Sequence, residues 1–284
     1  MGEKDLTFLD NILVKTKNYT EKINNAVTRE LQRYADSRFY GPLVYSLEGG
    51  KRVRPLIVLL ATEGVGGDEG KALDVAVAVE LLHAESIIHD DIVDQEVSRR
   101  DKAAFHIRYG YTASLLTADF VFAMILAIAA RYQDRKVANA LSNAALHMCE
   151  GEYAEITIDA DVYKLGWDEY TDLVFNKTAS LFQAAGRLGA LVGGGKNEEV
   201  EALSNYGKYV GIAYQVHDDM LDWGSKDKIT SALEDREGET VLPQLKTLSE
   251  TYAKKAKEQL AILRPSDARS LLHELTDFSI QRSF

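Results

Sequence analysis

The sequence predicts an all-α fold, and three observations support this class. The four prolines stand at positions 42, 55, 243 and 265, so residues 56–242 contain no helix-breaking proline. Strand-like alternation is scarce, whereas glycines recur between segments of helical periodicity. Hydrophobic residues form 46% of the 284, enough for a sizeable core. We therefore predict one helical domain over residues 1–284. The separating glycines are Gly64 to Gly67, Gly110, Gly166, Gly193 to Gly195 and Gly224.

Composition excludes several classes of protein. A net charge of −11 argues against binding nucleic acid, because contact with phosphate backbones requires concentrated Lys and Arg. Cys149 is the single cysteine, so an internal disulfide and a thiolate metal cage are both excluded. The start of the chain lacks a signal-peptide core, and the apolar run 120–130 is too short to span a bilayer. We expect a cytoplasmic protein with no transmembrane segment.

The first acidic motif ends a long apolar helix predicted around residues 80–94. Asp90 and Asp94 lie one helical turn apart on the same face, with Asp91 beside them. The residues leading to this motif indicate a buried helix, so the carboxylates are expected to line a cavity. These apolar residues are Val75, Val77, Val79, Leu81, Leu82, Ile87 and Ile88.

A second acidic motif repeats the pattern, again after apolar sequence. Asp218 and Asp222 have the same one-turn spacing, and Asp219 follows Asp218. Clustered carboxylates repel one another and are stabilised by a bound cation. Their hard oxygens favour Mg²⁺, which binds through a few carboxylates together with phosphate oxygens of a substrate. The paired motifs therefore predict a magnesium-dependent site for a phosphorylated ligand.

Basic residues occur beside these motifs. In the segment 49–55, Gly-Gly-Lys-Arg-Val-Arg-Pro, two glycines precede three cations and a proline suited to a first helical position. Lys51 and Arg54 are placed to bind an anion together at a helix start. The pair Arg99-Arg100 follows Asp94 after five residues, which indicates a second phosphate position.

A lysine and a threonine also interrupt the apolar segment 176–182, Asn-Lys-Thr-Ala-Ser-Leu-Phe. A buried Lys177 requires an anionic partner, whereas a lysine that reaches solvent does not. The sequence alone leaves these two interpretations open.

Along the chain these five motifs follow one another as the basic segment 49–55, the first acidic motif, the arginine pair, the segment 176–182 and the second acidic motif. With its motifs in that order, from Gly49 to the C-terminal Ile280-Gln281-Arg282, the chain resembles the trans-isoprenyl diphosphate synthases, or polyprenyl synthetases. The resemblance implies a single helical bundle of the isoprenoid synthase type around a deep central cavity, commonly as a homodimer. It implies a prenyltransferase that condenses isopentenyl diphosphate head to tail with an allylic diphosphate. In that reaction magnesium and cations stabilise departing pyrophosphate, and the allylic carbocation is attacked by the double bond of isopentenyl diphosphate.

The resemblance also assigns roles to individual residues. Three magnesium ions would be held by Asp90, Asp91, Asp94, Asp218, Asp219 and Asp222. The allylic diphosphate would be bound by Arg99, Lys177, Thr178 and Gln215, of which the last three would orient the substrate and stabilise the developing cation. Isopentenyl diphosphate would be bound by Lys51, Arg54, His83 and Arg100. Helix geometry supports His83, because seven residues place it only about 20° around the axis from Asp90.

The chain departs from the family pattern in two places. The family's glycine after the arginine pair is replaced by Asp101, and we expect a less constrained loop there. After the second acidic motif, Glu239 replaces a usual lysine, which leaves Lys226 and Lys228 as candidate substitutes. The segment that covers the allylic diphosphate is therefore expected to differ.

Product length is the least determined property. In the family, bulky residues four and five positions before the first motif can form the floor of the product cavity, and here Ser86 and Glu85 occupy them. Glu85 lies about 140° around the helix from Asp90, so Ser86 and Ile87 are better candidates for the floor. We favour geranylgeranyl diphosphate, with farnesyl diphosphate or a longer chain as alternatives.

Two other functions remain to be weighed. A terpene cyclase has no use for a second phosphate site such as Lys51 and Arg54, and typically lacks a full second acidic motif. A non-catalytic partner subunit would be expected to lose aspartates or that basic pair. Both motifs and both cations are present here.

Overall fold

A computed structural model describes residues 3–99, 101–158, 164–223, 232–233 and 241–281, with side chains described at Ile12 and from Val14 onward. These ranges are almost entirely helical, which confirms the predicted all-α class. The α-helices are α1 (Glu3–Gln32), α2 (Tyr40–Leu47), α3 (Val53–Gly64), α4 (Leu73–Val93), α5 (Phe105–Tyr109), α6 (Tyr111–Ala129), α7 (Arg135–Ile156), α8 (Trp167–Val174), α9 (Ser180–Val192), α10 (Asn197–Leu221), α11 (Val241–Gln259) and α12 (Asp267–Gln281). That residues 1–284 form a single domain stays a prediction.

Prolines and glycines delimit the helices largely as predicted. Pro42, Pro55 and Pro243 are each the third residue of a helix, in the first turn, where a missing N–H costs no intrahelical hydrogen bond. The prediction that Pro55 opens its helix was wrong by two residues, because α3 begins at Val53. The predicted glycine separators fall at the end of α3, between α5 and α6, before α8 and between α9 and α10, while Gly224 lies outside the described residues.

A short hairpin follows α4 and places Arg99 near the end of that helix. Its strands are β1 (Ser98–Arg99) and β2 (Lys102–Ala103), which pair antiparallel. Asp101 adopts a φ of +60°, the left-handed conformation that glycine favours and that aspartate tolerates better than most residues. Asp101 therefore adopts a conformation that glycine reaches without strain, and the expectation that this loop is less constrained stays a prediction.

Helix α4 is central to the bundle and carries the first acidic motif. It packs against α3, α6 and α9, and its first half is buried on every side. Helices α9 and α10 lie in close contact, since a Cβ at Gly207 would come 2.1 Å from the carbonyl oxygen of Phe182. A second core cluster surrounds α8, α10 and α11, and the second acidic motif is built on it.

Helix α6 is apolar on both its inner and outer sides. By length and composition alone it could cross a membrane, with a mean hydropathy of 2.0 over its most apolar window, of which 39% is buried. It is longer than the apolar run 120–130 identified in the sequence, because the helix starts at Tyr111. Its inner side packs against α4 within the bundle.

Candidate active site

The two acidic motifs share one arrangement. In each, the first and last aspartates are accessible: Asp90 and Asp218 are half-buried, and Asp94 and Asp222 are exposed. The middle aspartates are buried, with Asp91 2% and Asp219 8% exposed. Successive residues of a helix differ by about 100° in direction, so the middle aspartate cannot share the face of the other two. The motifs therefore present two carboxylates each to the site, and a third to the protein interior.

Asp91 pairs with a predicted phosphate-binding residue. The Nε of Arg99 donates to Asp91 Oδ1 at 2.5 Å, and the Arg99 side chain remains 38% exposed. A charge-assisted bond from a buried carboxylate fixes the direction of a long side chain. The contact of Asp91 in the structure therefore orients Arg99, and the metal-binding role assigned to Asp91 from the sequence stays a prediction.

Asp219 belongs to a hydrogen-bonded network. The Tyr170 hydroxyl donates to Asp219 Oδ2 at 2.6 Å, and Gln215 Nε2 donates to Asp219 Oδ1 at 2.7 Å. Thr178 Oγ1 donates to Gln215 Oε1 at 3.0 Å. Both oxygens of this buried carboxylate accept bonds, so it fixes the two predicted catalytic residues Thr178 and Gln215. Nothing in the sequence indicated Tyr170, which is fully buried and lies 49 residues before Asp219 in the chain.

Lys177 lies on a π-helical turn, Phe175–Ala179, between α8 and α9. Such turns occur frequently at functional sites. Its Nζ is 3.0 Å from Glu152 Oε2 and also contacts Glu155 Oε2, both from α7. The close approach depends on Gly151, because a Cβ there would lie 2.4 Å from the backbone nitrogen of Lys177. The structure thus gives Lys177 the anionic partners that a partly buried lysine requires.

Glu152 and Glu155 were missed by the sequence analysis. Their spacing of three residues places both carboxylates on one face of α7. This spacing would have identified them as partners of Lys177 only if α7 had been known to face that lysine. Burial lowers the pKa of Lys177, but Glu155 and Glu152 more than offset this effect and raise it above its ordinary value. Lys177 therefore keeps its positive charge throughout the physiological range.

The carboxyls around Lys177 ionise less readily than free ones. Burial, followed by the charge of Glu152, raises the pKa of Asp90 to about 7, against the opposing effects of Lys177 and Arg99. Burial also raises the pKa values of Asp94 and Glu155. A cluster with these shifts binds a cation favourably, because the cation relieves both the repulsion and the cost of desolvation.

The donor set fits magnesium bound together with a phosphorylated substrate. Within the described residues, no three acidic or histidine side chains converge to hold a metal ion by themselves. Each motif instead supplies two accessible carboxylates one turn apart, and Mg²⁺ usually completes six oxygen ligands with water and phosphate. Asp90, Asp94, Asp218 and Asp222 match this requirement.

Three basic residues lie at the start of α3: one has a structural role, and the other two are accessible. Arg52 is buried with φ of +55° and donates to Glu80 at 2.5 Å, so it ties the loop to α4. Lys51 is exposed, whereas the half-buried Arg54 lies with its guanidinium 4.5 Å from the ring centroid of Phe182 on α9. The sequence did not distinguish Arg52 from its neighbours.

The structure describes only some of the remaining residues that the sequence analysis singled out. His83 is half-buried on α4, two turns before Asp90. Arg100, Lys226, Lys228 and Glu239 lie outside the described residues.

An apolar cavity of about 290 Å³ runs between α4, α6 and α7. Asp90 and Glu152 are among its lining residues, so the first acidic motif and the apolar lining share one cavity. Its other lining residues are Leu82, Glu85, Ser86, His89, Phe122, Ala145, Met148, Cys149, Tyr153 and Ile156. Ser86 lines it as predicted.

Two predictions about the cavity floor were wrong. Glu85 lines the cavity, where its Oε1 lies 3.1 Å from His89 Nδ1, and this hydrogen bond raises the pKa of His89. A charged carboxylate in an apolar cavity is costly, which is why the sequence analysis placed Glu85 outside it. The contact with His89 reduces this cost. Ile87 instead lines a separate cavity of about 180 Å³ on the opposite side of α4.

Comparison with known proteins agrees with this geometry. A sequence model of the polyprenyl synthetase family matches residues 36–276. A geranylgeranyl diphosphate synthase of Methanosarcina mazei is 29% identical, over 98% of this chain and 99% of its own length. A short chain isoprenyl diphosphate synthase of Methanothermobacter thermautotrophicus is 33% identical over 82% and 87%. The crystal structure of geranylgeranyl pyrophosphate synthetase from Pyrococcus horikoshii superposes with a TM-score of 0.87 at 27% identity, covering 97% and 99% of the two chains.

Proposed function

This chain belongs to the polyprenyl synthetase family, and we propose that it condenses isopentenyl diphosphate head to tail with an allylic diphosphate, with geranylgeranyl diphosphate as the favoured product. One observation carries the proposal most strongly: Asp90 of the first acidic motif and Glu152, the ion-pair partner of Lys177, both line an apolar cavity. A diphosphate held there would direct its hydrocarbon chain into the cavity. The similarity to geranylgeranyl and short chain isoprenyl diphosphate synthases supports the same reaction.

Magnesium would be held by Asp90, Asp94, Asp218 and Asp222, with three ions per site as the resemblance implies. Bound metal neutralises charge on the diphosphate and so makes it a better leaving group.

The protein's own cations complete this charge balance. Arg99, oriented by Asp91, and Lys177, positioned by Glu152 and Glu155, bind the allylic diphosphate. Cleavage of the carbon–oxygen bond leaves pyrophosphate and an allylic cation. Thr178 and Gln215, held by the network on Asp219, are placed to orient the substrate and face the developing positive charge with oxygen atoms.

Isopentenyl diphosphate supplies the attacking double bond. Lys51, Arg54, His83 and Arg100 are proposed to bind its diphosphate at the start of α3. Carbon–carbon bond formation moves the positive charge to the isopentenyl carbon, and loss of a proton to the released pyrophosphate restores a double bond. No protein nucleophile is needed, and the apolar cavity keeps water away from the cation.

The cavity volume bears on product length. A dry cavity of about 150 Å³ holds benzene, so about 290 Å³ holds on the order of twelve carbons. That is roughly two isoprene units beyond the part of the substrate next to the diphosphate. With the unit next to the diphosphate this makes three units, so the volume by itself matches farnesyl diphosphate. Geranylgeranyl diphosphate, which the similarity to geranylgeranyl diphosphate synthases favours, requires its fourth unit to extend past the cavity.

The outer side of α6 supports a homodimer, since its exposed apolar residues need a covering surface. Leu115, Leu116, Phe122 and Leu126 are 40–58% exposed along it. A cytoplasmic location stays a prediction.

The test is incubation of the purified chain with Mg²⁺, labelled isopentenyl diphosphate and allylic primers of five, ten and fifteen carbons. We expect metal-dependent extension, and the size of the dephosphorylated alcohols then gives the product length. Hydrocarbon formed from an allylic diphosphate without extension would replace the proposal with a cyclase. Inertness with every primer would indicate a subunit that needs a different partner, and Asp90→Ala serves as the inactive control.

A further inference from the structure

A polar cavity of about 370 Å³ lies between α7, α9 and α10. It is larger than the apolar cavity, and none of the residues that line it takes part in the proposed reaction. Its volume holds on the order of fifteen non-hydrogen atoms, since a cavity of about 150 Å³ holds benzene. Small-molecule sites typically measure about 300–1,000 Å³. The cavity is therefore large enough for a small metabolite.

The charged side chains of this cavity favour an anion. Lys136 of α7 and Arg187 of α9 line it, in a chain whose net charge is −11. Among the described lining residues Glu201 is the single carboxylate, and its Oε2 lies 3.3 Å from Arg187 Nη1. The side chains of that pair are 38% and 64% exposed, and an exposed ion pair contributes little to stability. Arg187 can therefore exchange Glu201 for a bound anion at little cost.

Carboxamide side chains make up much of the remaining lining. Asn139, Asn143 and Gln183 all line the cavity, and within the described part of the chain their side chains make no hydrogen bond. A carboxamide both donates and accepts, so it suits hydroxyl groups, which do the same. Lysine and arginine suit a phosphate group. The lining therefore matches a phosphate carried on a hydroxylated body, whereas a prenyl chain would leave these polar groups without partners.

Two lining residues of the cavity also contact the turn that carries Lys177. His147 Nδ1 lies 2.9 Å from Asn176 Oδ1, and the Ser180 hydroxyl donates to the Asn176 carbonyl oxygen at 2.8 Å. Asn176 immediately precedes Lys177 on the π-helical turn. A molecule in the cavity therefore lies against two side chains that hold this turn.

We propose that the polar cavity binds a small phosphorylated sugar or polyol, and that its occupancy changes the affinity of the active site for the allylic diphosphate through Asn176. The coupling rests on the proposed function, because it acts on the contact between Lys177 and the diphosphate. Binding in the cavity does not rest on it. Coupling of two sites is reciprocal, so the allylic diphosphate changes the affinity for the sugar phosphate by the same factor.

The first experiment measures binding alone, by calorimetry on the purified chain without metal or prenyl substrates. We expect glucose 6-phosphate or glycerol 3-phosphate to bind at least tenfold more tightly than inorganic phosphate, because its hydroxyls reach the carboxamides. Lys136→Gln combined with Arg187→Gln should weaken this binding at least tenfold. The matched control is Arg29→Gln combined with Lys254→Gln, which removes the same charge from exposed positions on α1 and α11 and should leave binding unchanged.

Three results would overturn the assignment of this site. Absence of binding by both sugar and polyol phosphates would show that the cavity holds only solvent. Equal weakening in the two double variants would show attraction by net charge without a defined site. Inorganic phosphate or pyrophosphate bound as tightly as glucose 6-phosphate would show that the carboxamides contribute nothing, and would make the pyrophosphate released by the reaction the better ligand.

The second experiment tests the coupling with Mg²⁺ and the ten-carbon allylic diphosphate, without isopentenyl diphosphate, so that no extension occurs. Saturating glucose 6-phosphate should change the Kd of the allylic diphosphate at least twofold, with the reciprocal change in its own Kd. Asn176→Ala removes the carboxamide that contacts His147 but leaves the cavity lining intact, so it should keep sugar phosphate binding and abolish the change.

An unchanged Kd for the allylic diphosphate in the wild-type chain, with the cavity occupied, would overturn the coupling. So would an equal change in Asn176→Ala. Failure of the proposed function appears separately, as a lack of extension with every primer. Binding of glucose 6-phosphate and its loss on Lys136→Gln with Arg187→Gln stay measurable in that case.

Discussion

Separate replacement of Asp218 and Asp219 by asparagine distinguishes a metal-holding carboxylate from a positioning one. Each substitution removes one negative charge from neighbouring positions of α10, so their long-range effects on a bound cation are similar. The two carboxylates differ in setting, since Asp218 is half-buried whereas Asp219 accepts bonds from Tyr170 and Gln215. We expect Asp218→Asn to raise the Mg²⁺ concentration for half-maximal activity at least tenfold, and Asp219→Asn to change it less than twofold.

The cost of Asp219→Asn should appear in stability and in turnover. The amide keeps the shape of the side chain but turns one acceptor into a donor and removes the charge that strengthens both bonds. A hydrogen bond to a charged group contributes about 1.5–3 kcal/mol, so the unfolding midpoint should fall by on the order of 3–8 °C. Because Gln215 also accepts from Thr178, kcat should fall with it.

The assay pairs thermal unfolding in metal-free buffer with magnesium titration of prenyl transfer at saturating substrates. Tyr170→Phe is the matched control, since it removes one donor to Asp219 without changing any charge. It should reproduce the loss of stability in part and leave the magnesium requirement unchanged. If Asp219→Asn instead raised the magnesium requirement as far as Asp218→Asn at an unchanged midpoint, Asp219 would be a metal ligand and the reasoning would be refuted.

Four further predictions follow from the same contacts. Gly151→Ala should lower the unfolding midpoint and the activity, because the new Cβ would meet the backbone of Lys177. Gly41→Ala in α2 is the control: its Cβ would have open space, so it should stabilise the protein by up to about 1 kcal/mol. Calorimetry compares the two variants. Arg52→Ala should lower the unfolding free energy by about 3–5 kcal/mol, because it leaves the buried Glu80 without its cation. Lys51→Ala, at an exposed position, should leave stability unchanged and raise the KM for isopentenyl diphosphate. Glu85→Leu should shift the alcohols sized by chromatography toward longer chains, and Ile87→Leu, on the opposite side of α4, should not. The pKa of Asp90 is raised to about 7, so the contribution of its protonated form to metal-free stability is lost as pH rises from about 4 through 7. Added Mg²⁺ should therefore raise the unfolding midpoint more at pH 8 than at pH 6. An equal rise at both pH values would contradict this.

The sequence was sufficient for the fold class, but not for the direction of each side chain in the candidate site. Apolar periodicity and the positions of proline and glycine predicted the helices, because these signals are local. The separation of Asp91 and Asp219 from their neighbours also follows from helix geometry, yet their partners Arg99 and Tyr170 are fixed by packing between distant segments. The wrong prediction for Glu85 has the same cause. Helix geometry predicts the direction of its side chain around α4, but not which helix lies opposite.

Under the proposed function, Glu152 and Glu155 would make the site require metal and substrate together. In the free protein, Asp90, Asp94, Glu152 and Glu155 surround Lys177 and Arg99, so carboxylates outnumber the cations among these residues. A bare diphosphate would meet this negative field and be repelled, and Lys177 is already engaged by the two glutamates. A diphosphate bound to magnesium carries less negative charge and gives the accessible aspartates a cation to hold. We therefore predict that the glutamates that position Lys177 also select against the metal-free substrate.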